Sequence, residues 1–279
     1  MPSYGPRWIM GGNPDTMTAT AIIPGDVWML RWDGKDLAAA MIARVYDDFV
    51  VVWPVTNATR EHYAPALLID QEHRDLGDAV WPTRPTGIGN HLLGRRLGAL
   101  LDRDAVETLT DQMEDPEVEP TILPLAEGTY DSEADDRLID EWNAYCFHTG
   151  VPTGRHWLHT GYFTSSRQVA EALGLDVVST RDYWDGVIPL SDEQLATLAR
   201  AIGRPAEDLT GCDPYAHAVR RLSSPDFKAS VEAQADATGM SEERVRDETR
   251  REFALAARDD SANRMDDKLR DALFRIEGP

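Results

Sequence analysis

Residues 165–211, SSRQVAEALGLDVVSTRDYWDGVIPLSDEQLATLARAIGRPAEDLTG, decide how the second half of the chain is read. Three runs, SSRQVAEALG, DVVSTRDYWDG and SDEQLATLARAIG, read as short helices. Gly174, Gly186 and Gly203 stand at their ends, where helix C-termini favour glycine. Toward the C-terminus two or three more helices are expected between Ser224 and Ile276, with Gly239 closing one and Ser241, followed by Glu243 and Arg244, opening another. Val245, Phe253, Leu255, Leu269, Leu273 and Ile276 sit among dense mixed charge there, the pattern of helices that bury one stripe and leave a charged face in water. This tail reads first as an extension packing on the 165–211 module. Second, it reads as an arm for homodimerisation or for a partner.

Toward the N-terminus the texture changes. From Ala21 to about Asp104 short β-rich runs (DVWMLRW, AAAMIARVY, FVVVWPVT, APALLID, AVWPT) alternate with turn signals such as WDGK, YDD and GD. Strands this short and this closely spaced predict a small barrel. HLLGRRLGALL then places Leu92, Leu93, Leu97, Leu100 and Leu101 at helical spacing, a helix that would cap it. The expected fold is α+β: a flexible leader over 1–20, a small β-barrel over 21–110, an acidic linker over 111–130, and an all-helical domain over 131–279.

Charge narrows the function classes. The chain carries 49 acidic and 28 basic side chains, a formal net charge of −21. Residues 111–141 hold 12 of the acids and one base, so that stretch alone accounts for more than half of the excess. The remaining 248 residues carry 37 acids and 27 bases, a net −10 spread thinly along the chain, which fits neither a DNA mimic nor a broadly basic nucleic-acid surface. No apolar run is long enough to span a bilayer and the N-terminus lacks an export signal, so a cytoplasmic protein without a membrane partner is expected. Cys146 and Cys212 are far apart without metal-binding spacing, and His156 and His159 in GRHWLHTGYF lack further ligands nearby. No metal or cofactor is therefore expected. Walker, dinucleotide, GxSxG and HExxH motifs are absent.

The 165–211 segment resembles the phage-repressor (XRE/Cro-like) helix-turn-helix, on Gln168, Ala170, Leu173, Gly174, Gly186, Pro189, Leu190, Leu195, Leu198, Ala199 and Gly203. The resemblance implies a scaffold helix carrying Arg167 and Gln168 at a DNA backbone, and a recognition helix whose Val177, Val178, Ser179, Arg181 and Asp182 face the major groove. Two valines stand where Gln, Ser or Asn is common, and Trp184 replaces a usual Glu. Arg181 is suited to a bidentate guanine contact, whereas Asp182 would meet phosphate unfavourably. The same face also reads as a protein-binding patch of Val177, Val178 and Trp184.

The first segment resembles the MazF/PemK family of SH3-like barrels, on Pro24-Gly-Asp-Val-Trp28, on Val51 to Thr56 with Trp53 inserted, and on Arg96 to Leu100. That family implies an endoribonuclease toxin. RNA cleavage of that kind needs a base for the 2′-hydroxyl and a cation for the phosphorane. The family's R-P-x-L-V segment is replaced here by Leu37-Ala38-Ala39-Ala40-Met41-Ile42. Thr56, Arg60 and Arg84 are the remaining catalytic candidates, with His91 a further polar group, and RNA at the barrel is retained as a partner. Trp28, Trp32, Trp53 and Trp81 read as core. Three functions are thus expected in order: a non-enzymatic regulator whose helical module binds double-stranded DNA, or a protein through the same face; a MazF/PemK-type ribonuclease; and an adaptor acting only through protein contacts.

Overall fold

The computed structural model describes residues 20–58, 60–115, 118–257 and 264–278; the leader expected over 1–20 lies outside these except for Thr20. Strands β1 (Asp26–Trp32) and β2 (Lys35–Val45) form a hairpin about Asp33-Gly34, both residues with positive φ, as a two-residue Asp-Gly turn requires. β3 (Phe49–Thr56) continues the meander. Two short strands, β4 (Leu67–Leu68) and β5 (Ala79–Val80), extend the sheet past its C-terminal end, and β6 (Thr86–Gly89) pairs with its first half. β7 (Leu93–Ala99) returns antiparallel to β1, giving the order β4-β5-β3-β2-β1-β7.

This corrects two expectations. The hydrogen-bonded order has two free ends, so the strands do not close into a barrel. HLLGRRLGALL is not a capping helix: Asn90–Leu92 make one 3₁₀ turn and the rest is β7. Gly94 and Gly98 each disfavour a helix by about 1 kcal/mol, and in the strand Arg96 reaches both carboxylate oxygens of the buried Asp26 at 2.7 Å.

Both faces of the sheet are covered. Along β3, Val50 and Val52 point to one core while Trp53 and Val55 serve the other, which is why FVVVWPV is apolar without alternation. Helix α1 (Arg103–Glu114), capped by Asp102, buries Val106 and Leu109 on the Trp53 side. Helix α2 (Ser132–Tyr145), capped by Asp131, lays Leu138, Trp142 and Tyr145 on the Trp28 and Trp81 side. The acidic stretch between them is no free linker. Leu68 N–H donates to Pro124 and Ala126 N–H to Ala66, and from among carboxylates in sequence Leu123 and Ala126 are buried in the two apolar cores. Composition reported only those carboxylates.

The second half is helical apart from a two-residue ladder, β8 (Trp157–Leu158) with β9 (Thr210–Gly211), inside the region expected to be all-helical. The ladder ties together the ends of a module of α3 (Ser166–Leu173), α4 (Val177–Trp184) and α5 (Asp192–Ile202), packed on Phe163, Val169, Leu190, Leu195, Leu198 and Leu209. α6 (Ala216–Leu222), α7 (Pro225–Thr238), α8 (Glu242–Ala256) and α9 (Met265–Phe274) share another core, including Val245, Phe253, Leu269, Leu273 and Ile276 from the expected apolar stripe. This tail also packs on the sheet. Lys228 Nζ donates to the Arg31 carbonyl, and Asp33 accepts from the Glu242 N–H at the start of α8. Among the described residues no helix is long and apolar enough to cross a membrane.

Candidate functional site

Thr56 closes β3 and is only 8% exposed. Its hydroxyl oxygen accepts the Trp81 indole N–H at 2.9 Å and lies 3.2 Å from His62 Nε2. Arg60 pairs with Glu141 of α2, and Glu141 also accepts from the Tyr145 hydroxyl. Arg84 gives a bidentate pair to Asp135 of α2, at 2.8 and 2.7 Å, with the Tyr130 hydroxyl on the same carboxylate. The Arg84 hydrogen bonds hold the Asp135 carboxyl below the ordinary range despite its burial. Arg60 lines a cleft of about 420 Å³ and Arg84 a smaller one of about 200 Å³, with Leu138 of α2 bordering both. Arg60 and Arg84 are therefore both held on α2, which supplies a carboxylate to each, while Thr56 is held by Trp81 and His62. A phosphorane beside Thr56 would have to displace those carboxylates.

At the module's tip, the α3–α4 turn passes through Gly174 with φ of 65°. Asp176 caps α4, accepting from Val178 N–H and from both the backbone and the hydroxyl of Ser179. The Ser179 hydroxyl and backbone bonds keep its carboxyl below the usual range, so α4 begins with a fixed negative charge. Val177 and Val178 are 52% and 81% exposed. Arg181 pairs with Asp185 one turn on, Arg167 with Glu171, and Gln168 accepts from the Thr164 N–H. Trp184 corrects the expected patch: it packs on the module's core instead of joining the two valines at the surface.

No protein-family model, curated protein or solved structure matches the chain.

The residues that decide what the sheet-side cluster can do, His62, Asp135 and Glu141, were not singled out from sequence. The signal was weak: Asp135 and Asp136 are adjacent and read alike, but only Asp135 shares the helical face of Leu138, Trp142 and Tyr145. His156 pairs with Asp192, His159 packs on Tyr162, and no group of three or more metal-ligating side chains occurs among the described residues. Trp28, Trp53 and Trp81 are buried core residues, at most 3% exposed. Replacing Asp135 by Ala removes the carboxylate that Arg84 and Tyr130 share and leaves Arg84 only the Thr83 carbonyl. With Arg84 a quarter exposed, the expected loss is about 1–3 kcal/mol of unfolding free energy in a urea titration. A loss below about 0.5 kcal/mol would show that apolar packing alone seats α2.

Proposed function

We propose that the chain is a non-enzymatic regulator that docks on a protein through the start of α4, presented on a helix-turn-helix frame of the phage-repressor type. The N-terminal sheet acts as its scaffold, an opened SH3-like unit of MazF/PemK type in which β7 returns to β1 after a 3₁₀ turn. The observation that carries this reading is the Val177–Val178 pair, solvent-exposed, with Asp176 capping the helix before it and Asp182 one turn on. Residues 165–211 hold four arginines and eight carboxylates, so few counterions would be released on a DNA backbone. A protein with an apolar patch rimmed by Lys or Arg complements the tip. A second copy of the chain would bring the same acidic rim against it, which disfavours a homodimer through this face.

Double-stranded DNA is the second reading, favoured by the α3–Gly174–α4 frame itself. The ribonuclease reading is not favoured, because each candidate arginine is neutralised by α2. One comparison separates the first two: the wild-type chain and a Val177→Ser/Val178→Ser variant, each immobilised and offered sheared genomic DNA and, separately, cell proteins. The expected result is a protein retained by the wild type, released by rising salt, and lost by the variant, with no DNA sequence enriched. Enrichment of a defined sequence that Arg181→Ala abolishes would overturn the protein reading in favour of DNA. Equal protein retention by both chains would remove α4 as the contact element.

A further inference from the structure

Where the sheet meets the helices there is a cleft of about 780 Å³, bounded by Asp48 and Gly89 on the sheet side and by α6 on the other. Its size falls in the range of small-molecule sites, which favour such junctions. In a chain of net charge −21, three guanidinium groups (Arg155, Arg220, Arg250) and two carboxylates (Asp48, Asp213) line it. The three arginines are not equivalent. Arg250 lies 3.7 Å over the Trp157 ring and is committed to Asp213 and to the Gly186 and Val187 carbonyls, so it forms a fixed wall. Arg155 is likewise held by both oxygens of Asp247. Arg220 faces Asp48 at 3.5 Å, with both side chains about half exposed, a pair that a better-placed anion replaces at little cost. Val151, Pro152, Ala216 and Val219 add apolar wall.

We infer that this cleft binds a small amphiphilic anion, an aromatic or branched apolar body that lies along the Trp157–Val219 walls and presents one anionic group to Arg220 in place of Asp48. The site stands independently of the reading of α4.

The test uses the full chain and the aromatic sulfonate 1-anilinonaphthalene-8-sulfonate, followed by fluorescence and calorimetry. The expected result is saturation at one equivalent. Arg220→Ala, at an exposed position that leaves the fold intact, weakens binding about tenfold, as loss of a charge-assisted hydrogen bond does. Asp48→Asn tightens it a few-fold by removing the competitor, and Ala216→Trp, which fills the cleft, abolishes it. The uncharged N-phenyl-1-naphthylamine binds about tenfold more weakly than the sulfonate. Non-saturating uptake would overturn the inference. So would unchanged binding in both Arg220→Ala and Ala216→Trp, or loss of binding in Val178→Ser, which would place the dye on the α4 tip.

Discussion

Replacing Arg250 by Met is expected to lower the unfolding free energy by about 3–5 kcal/mol, the usual cost of breaking a buried ion pair from one side. Arg250 is 2% exposed. From α8 it donates to both oxygens of Asp213, at 3.0 and 2.6 Å, and to the carbonyls of Gly186 and Val187, at 2.7 and 2.9 Å, while its guanidinium stacks on Trp157. Methionine keeps the length of the stem and much of the packing, but it leaves two buried carbonyls without donors and the Asp213 carboxylate with the Tyr215 N–H alone in place of its cation. Those carbonyls immediately follow the end of α4, so the loss loosens the α3–α5 module from α8 before either core melts. A guanidinium-chloride titration read at 222 nm and by tryptophan emission measures it. A change under about 1 kcal/mol would mean that the desolvation of Arg250 cancels its bonds and that apolar contacts alone seat the module.

Arg250 also marks where sequence reading reaches its limit. The Asp-Gly turn of the β1–β2 hairpin and the Ser241 cap of α8 were legible because each is a local device, decided by a few neighbouring residues. The strands from Asp26 to Thr56 were legible for the same reason. HLLGRRLGALL was misread because leucines at 92, 93, 97, 100 and 101 satisfy a helical stripe as well as a strand, and only pairing with β1 decides between them. The charges of α8 were the larger failure. Glu242, Arg246 and Arg250 belong to a run that has the composition of a solvated face, yet all three are at most 2% exposed. Glu242 lies between Lys228 and Arg246, and Arg246 also donates to the Leu222 carbonyl. Burial of charge depends on partners as far as 14 to 64 residues away, and one-dimensional pattern carries no record of them. Arg60 and Arg84 follow suit: their residue types were read correctly as cationic, but Glu141 and Asp135, which neutralise them, come from a helix 51 to 81 residues on.

The second large effect is a loss of stability in mild acid that originates at His91. Its ring is enclosed by the backbone of Gly89 and Gly150, where a Cβ on Gly89 would lie within 2.3 Å of the imidazole, and it packs edge-on against Trp32. Nε2–H donates to the His148 carbonyl at 2.7 Å. Burial first, and then the charge of Arg246, push its pKa down to about 3, outweighing the hydrogen bond to His148; Lys228 pushes the same way. The folded chain thus holds His91 neutral where the unfolded chain, with an ordinary histidine near 6.5, takes up a proton. The unfolded state binds more protons between those values, so stability rises with pH across the window and is lost as pH falls from 6.5 toward 3. By pH 4 the loss attributable to this one ring is about 3 kcal/mol. His91→Gln keeps a donor for the His148 carbonyl and removes the titration, so its unfolding free energy should fall less steeply between pH 7 and 4, the two curves converging by that amount. Carboxylates such as Asp135 and Asp226 weaken the fold in acid as well, but equally in both proteins, and they cancel in the difference. Parallel curves would mean that His91 gains its proton without opening the fold. Because Trp32 comes from the sheet while Lys228 and Arg246 come from α7 and α8, a charged imidazole at this point strains the contact between the two halves, and the acid transition should begin there.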